Sequence, residues 1–375
     1  YVPAHPVAVW LHAVSVGESL AALPLIEALI KQHGGQQVWV TTTTPTGSER
    51  VQAALGGRVI HTYAPYDLPH VVARFLDRAQ PQQVVVMETE LWPNLFAALK
   101  ARGIPLTIAN ARLSPRSFKG YSRVAGFTRS VLANVSAIAA QSTLDGERFT
   151  VLGAPNVQVV GNLKFDLALP TEPHPLTAEL SKLWPQPCVV WAAVSTHEGE
   201  EDVVLDAHQR LLQRQPSARL ILVPRHPQRF DEVARRIASK GIAFTRRSAL
   251  DARSAQTSVL LGDSMGEVMA YLAAAQIAFV GGSLVPVGGH NVLEPAALGL
   301  PVLFGPHMHN FLAARELLLG IDVAREVRDA ESLYAALIEW MPSQGDASQT
   351  ARSQRARDAI AANRGALKKL LALLA

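Results

Sequence analysis

Three kinds of side chain stand where they could do chemistry. Carboxylates come first: Glu18 directly follows an apolar run in HAVSVGES, and Glu88 and Glu90 flank the end of another in METELWPN. A carboxylate at a strand end can take a proton from a substrate hydroxyl or hydrogen-bond to it. The same positions suit plain helix starts, where the helix dipole favours acidic residues. Residue type and position leave both readings of each open, and the closeness of Glu88 to Glu90 adds pKa coupling as an option. Second is Arg225, in PRHP after the run RLILV. It is placed either to clamp a phosphate through two N–H groups or to make a surface ion pair. Third is the stretch 277–311, IAFVGGSLVPVGGHNVLEPAALGLPVLFGPHMHNF. It reads as strand, glycine loop, helix start at about 291 and strand. Paired glycines let a backbone approach a ligand, and free N–H groups at a helix start attract an anion. Glu294, one turn in, suits sugar hydroxyls rather than the phosphate itself. Taken alone such a loop is a weak motif, and an ordinary glycine-rich turn is the alternative.

Other positions carry less. Gly262 to Glu267, GDSMGE, follows an apolar run and opens a helix with more free N–H groups. Ser195, Thr196 and His197, with Glu198, Glu200 and Glu201 beyond, read as a capped helix start that could also touch a ligand. His290, His307 and His309 are close in sequence, but no Cys and no i,i+4 His pair accompanies them, so no metal site is expected. From Leu91 to Leu144 there is no Asp or Glu, while Arg112, Arg116, Lys119, Arg123 and Arg129 fall within it. A one-sign patch with interleaved serines and aromatics implies an anionic partner such as a phosphorylated lipid or a membrane surface, or else a solvated basic face.

Those residues need elements to hold them. Apolar runs at 7–14, 38–43, 59–63, 84–88, 106–111, 137–141 and 157–160 alternate with helical patterns. After a proline-punctuated stretch at 165–187 the alternation restarts, with strands at 188–194, 219–223, 259–261, 277–280 and 302–304. This argues for two tandem parallel sheets covered by helices, an α/β fold. Two such domains place a cleft at the carboxyl ends of their strands, where the polar motifs fall. The tail, about 349–374, reads as one long helix with an apolar stripe, suited to packing on the protein or lying on a membrane surface. The expected domains are 1–167, 168–350 and a terminal helix, 351–375.

The 375 residues suffice for two ordinary domains, and 49% of them are hydrophobic. A net charge of +4 is mild, and no nucleic-acid motif is present, so nucleic acid is not an expected partner. The single cysteine, Cys188, allows no internal disulfide and fits a reducing compartment. No apolar run approaches the ~18 residues that span a bilayer. The chain opens at Tyr1, almost directly in a strand, and is expected to be trimmed of a segment that could hold an anchor.

Taken together the motifs resemble one family, the bacterial Kdo (3-deoxy-D-manno-oct-2-ulosonic acid) transferases of the lipopolysaccharide inner core. They are HAVSVGE (12–18), TTTTPTG (41–47), ETELWPN (88–94), ARLSPRS (111–117), GNLKFD (161–166), STHEGEE (195–201), PRHPQRF (224–230), GDSMGE (262–267) and GGHNVLEPAALGLPVLFGPHMHNF (288–311). The resemblance implies a GT-B fold: two Rossmann-like domains facing a central cleft, with a C-terminal helix crossing back to the first. It implies transfer of Kdo from CMP-Kdo to a bis-phosphorylated lipid A precursor, with inversion and no metal or other cofactor. Glu18 matches the family's general base, and Glu88 and Glu90 match acidic positions that orient the acceptor. Arg225, Met265, Gly266, Gly289, Asn291 and Glu294 match the CMP site. Arg112, Arg116, Lys119 and Arg123 would meet lipid phosphates or the anionic inner membrane at its cytoplasmic face. A nucleotide-sugar epimerase of the same fold and a non-catalytic lipid-binding protein are the alternatives.

Overall fold

A computed structural model describes residues 5–166, 172, 174–251, 254–341 and 347–375. The chain divides into two compact units, Tyr1–Leu167 with Asn363–Ala375, and Ala168–Ala362.

The first unit is built on seven parallel strands in the order β3-β2-β1-β4-β5-β6-β7. They are β1 (Val9–His12), β2 (Val38–Thr42), β3 (Ile60–Tyr63), β4 (Gln83–Met87), β5 (Leu106–Ala111), β6 (Ala137–Ala140) and β7 (Val157–Val159). β1 pairs with β2 on one side and β4 on the other, so it is apolar on both faces. Its side chains alternate between two cores. Trp10 joins Trp39 and Phe75 on one face, while Val9 and Leu11 join Val40, Leu25 and Ile26 on the other. Both buried indoles satisfy their N–H groups, Trp10 on Thr41 Oγ1 at 2.8 Å and Trp39 on Thr62 Oγ1 at 3.0 Å. β1 ends two residues before the expected 14 because the Val14 N–H turns away to the carboxylate of Glu18.

The second unit repeats the plan in the order β10-β11-β9-β8-β12-β13-β14, again all parallel. Its strands are β8 (Val189–Thr196), β9 (Ala218–Pro224), β10 (Phe244–Arg246), β11 (Val259–Leu261), β12 (Ile277–Val280), β13 (Val302–Phe304) and β14 (Ala324–Glu326). β10 and β14 were not expected: they are three-residue edge strands, FTR and ARE, too short and polar to register as buried runs.

The tail differs from the single helix expected. It is two helices, Ala347–Ala362 and Ala366–Leu374, broken where Gly365 takes φ +100°. The first belongs to the second unit, and residues from Asn363 onward belong to the first. There Ala366 and Leu370 enter the same core as Leu25 and Leu29. The carboxylate of Asp166 caps that last helix, accepting from Gly365 N and Leu367 N, each at 2.6 Å.

Candidate functional site

In each sheet the strand order reverses beside its first strand, between β1 and β4 and between β8 and β12. Open α/β sheets bind ligands at the carboxyl end of such a reversal. Glu18, Glu88 and Glu90 follow β1 and β4 at the first point, and Gly289, Asn291 and Glu294 follow β12 at the second; Arg225 follows β9, Met265 and Gly266 follow β11, and Arg112, Arg116, Lys119 and Arg123 follow β5.

In the first unit, Ser15 caps the helix Val16–His33, accepting from Glu18 N at 3.2 Å. The Glu18 carboxylate folds back into that turn, accepting from Val14 N at 2.8 Å and Ser15 Oγ at 3.0 Å. Burial, helped by the charges of Glu88 and Glu90, raises the Glu18 pKa to about 7 against the hydrogen bonds from Val14 N and Ser15 Oγ. Glu88 follows β4 and sits at φ +56°, a left-handed backbone that costs a non-glycine residue about 1 kcal/mol or more. Glu90 accepts from Trp92 Nε1 at 3.1 Å. Lys164 lies near Glu88 and Arg112: burial lowers its pKa, with Glu88 raising it and Arg112 lowering it. The turn that carries Lys164 is pinned by Asn110, which lies at φ +53° and accepts from Leu163 N at 3.0 Å, and by Gln141, which receives Asn162 Nδ2 at 3.0 Å. The sequence reading gave no role to Asn110, Gln141, Asn162 or Lys164, although Asn162 and Lys164 lie inside GNLKFD.

Arg116, Lys119 and Arg123 are exposed on the helix Pro115–Arg123, and Arg112 is exposed just before it. The inward face of that helix sets Phe118 and Tyr121 against the core, and burial together with Glu90 raises the Tyr121 pKa. Beyond the helix Val124 and Phe127 stand 52% and 61% exposed.

In the second unit the helix Glu200–Arg214 follows β8. The capped start expected there is absent: Gly199 holds the cap position at φ +90° and has no side chain to offer. Glu200 is fully buried instead. One of its oxygens accepts from His197 N at 2.9 Å and Gly282 N at 2.7 Å, the other from Ser283 N at 2.9 Å and Leu284 N at 2.8 Å. The carboxylate thus fills the N–H nest at the end of β12 where a ligand anion would otherwise fit. Gly281 is required there, because a Cβ on it would fall 2.5 Å from Ser195 O. Glu201, also fully buried, pairs with Arg229 at 2.5 Å.

The N–H groups expected to be open at Gly289–Asn291 are partly engaged. Gly289 N donates to Gly282 O at 2.7 Å, His290 N to Gly281 O at 3.2 Å, and Leu293 N to Asn291 Oδ1 at 3.1 Å. The helix itself is short, Leu293–Ala297. Side chains therefore carry most of the polarity at this point. Asn291 Nδ2 donates to Glu294 Oε1 at 3.0 Å. Burial raises the Glu294 pKa, opposed by Asn291 and by the charge of Arg225. Arg225 follows β9 and also acts on His197, so it lies near both. Met265 is 56% exposed, and Gly266 takes φ +82° with open space where a Cβ would stand. That turn leads straight into a short helix, Val268–Ala273, with Glu267 in the cap position. His290 meets His197, 93 residues away, with Nε2 atoms 2.8 Å apart. Among the described residues no group of three or more His, Cys, Asp or Glu stands close enough to hold a metal ion. No described helix is long and apolar enough to cross a membrane.

Two all-parallel α/β units with polar loops at both strand reversals define a GT-B type fold. A solved glycosyltransferase from Rickettsia africae shares it, with TM-score 0.61 and 15% identity over 98% of each chain. Sequence likeness is more specific. The profile of the family described as 3-deoxy-D-manno-octulosonic-acid transferase (kdotransferase) matches residues 2–167. The chain is 41% identical over 371 residues to a 3-deoxy-D-manno-octulosonic acid transferase of Haemophilus influenzae, covering 98% of this chain and 87% of that one. It is 38% identical to the enzyme of the same name from Bordetella pertussis, over 97% and 86% of the two chains. The chain belongs to the Kdo transferase family of glycosyltransferases. The epimerase and non-catalytic alternatives are set aside by that membership.

Proposed function

We propose that this protein transfers Kdo from CMP-Kdo to a bis-phosphorylated lipid A precursor by single displacement with inversion. Glu18 is the general base. It takes the proton of the acceptor hydroxyl as that oxygen attacks the anomeric carbon, and the C–O bond to the CMP phosphate breaks. The observation that carries this reading is the state of Glu18: buried, raised to about 7, and crowded by Glu88 and Glu90. A base poised near working pH is what proton removal from a hydroxyl asks for. Glu88 and Glu90 orient the acceptor. Arg112, Arg116, Lys119 and Arg123 meet its phosphates and the anionic surface of the inner membrane at its cytoplasmic face, with Val124 and Phe127 supplying apolar contact.

On the donor side Arg225 neutralises the departing phosphate, the part a divalent cation plays in other transferases. With Gly289 N engaged in the loop, this work falls on Arg225 and the side chains around it. Glu294, held by Asn291, binds the ribose hydroxyls, and Met265 and Gly266 border the nucleotide. The test is transfer of labelled Kdo from fresh CMP-Kdo to dispersed lipid A precursor with EDTA present, for wild type and Glu18→Gln. Turnover by wild type alone, with CMP binding equal in both, supports the reading. Turnover by Glu18→Gln at the wild-type rate removes the base assignment, and dependence of wild type on added cation removes the metal-free mechanism.

A further inference from the structure

At the reversal between β8 and β12 three imidazoles meet. His197 and His290 lie nearly parallel, 8° apart with ring centroids at 5.1 Å, and share the Nε2–Nε2 contact of 2.8 Å. His226 stands edge-on to His197 at 5.2 Å. Gly282 leaves the room that His290 needs: a Cβ there would lie 2.9 Å from His290 Cδ2.

A hydrogen bond between two Nε2 atoms needs one proton between them, and a neutral pair supplies it through opposite tautomers. One further proton fits on the outer nitrogen of the donating ring. A second does not, because it would set two N–H groups face to face at this separation. The pair can therefore hold a single positive charge and no more. Around it stand Arg225, Arg229 and His226, which oppose that charge, and Glu200, which favours it. Burial, with smaller contributions from His226, Arg225 and Arg229, lowers the His197 pKa against the pull of Glu200, which favours the neutral pair while no ligand anion is present.

We propose that the His197–His290 pair takes up one proton when a phosphate-bearing ligand settles beside Arg225, and so becomes a second counter-charge to that phosphate. This rests on reading Arg225 as the phosphate-binding residue of the donor site. The proton comes from solvent on binding and returns to it on release. Donor affinity then falls with rising pH, by at most about tenfold per unit, because one proton is linked to binding.

The test uses the full chain and the methyl phosphodiester of CMP, whose phosphate does not titrate in the working range of about pH 6 to about pH 8. Calorimetry in buffers of different ionisation enthalpy counts the protons taken up. Wild type is expected to take up a fraction approaching one, and His197→Gln and His290→Gln none. Ring-nitrogen NMR of the unmodified protein with and without ligand reads the same event without any substitution, as protonation of one ring of the pair. Absence of binding to wild type sinks the donor-site reading and this inference with it. Binding with equal proton uptake in wild type and variants, or with unchanged ring nitrogens, overturns this inference alone.

Discussion

The carboxylate of Glu200 accepts the backbone N–H of Gly282 at 2.7 Å, across 82 residues of chain. With three more N–H groups on the same carboxylate, the glycine loop is held by an internal anion. Glu200→Gln keeps one acceptor oxygen and turns the other into a donor facing two N–H groups. The expected cost is about 2–6 kcal/mol, from two buried donors left unpaired. Denaturant unfolding measures it, and a loss under about 1 kcal/mol would mean that the loop does not depend on this carboxylate.

Glu18 predicts a pH profile. With its carboxyl raised to about 7, kcat/KM should climb through that pH as the base ionises. Glu18→Gln should lose about 10²–10⁴ in rate with CMP affinity kept. A profile flat from about pH 5 to about pH 9, with that rate loss, would assign Glu18 a role other than proton transfer.

The same group predicts stability. A carboxyl whose folded pKa exceeds its unfolded value of 4.5 opposes folding as it ionises, so the penalty is absent at low pH and complete above about 7. Relative to Glu18→Gln, wild type should lose up to about 3 kcal/mol between those limits. Melting curves of both proteins across pH read this directly. Parallel stability curves would show that Glu18 titrates normally.

The helix Pro115–Arg123 predicts membrane behaviour. Each basic residue near an anionic leaflet is worth about 1 kcal/mol, so Arg116→Ala, Lys119→Ala and Arg123→Ala together should cut partitioning onto anionic vesicles by roughly 10². The effect should shrink in high salt. Sedimentation with vesicles checks it, and equal binding of the triple variant would move the contact elsewhere on the surface.

Much of this was legible in the sequence, and for a physical reason. Parallel strands buried on both faces are continuous apolar runs, so each one announces its carboxyl end. Glu18, Glu88 and Arg225 are read off as the polar residues that come next. What stayed hidden depends on which strands are neighbours. β8 lies beside β12, and only that adjacency joins His197 to His290 and Glu200 to Gly282. Asn110 and Gln141 likewise act through β5 beside β6. The glycine pairs were read as places where the backbone approaches a ligand, whereas at Gly281 and Gly289 the close neighbours in the structure are atoms of the protein itself.

The break at Gly365 has a consequence for the order in which the protein is made. The core of the first unit, already 167 residues long when the chain moves on to the second, still lacks Ala366 and Leu370. A ribosome delivers those residues only after the whole second unit has emerged. The domain synthesised first is thus the one completed last, and until then the core that holds Leu25 and Leu29 lacks two of its apolar members and leaves apolar surface uncovered.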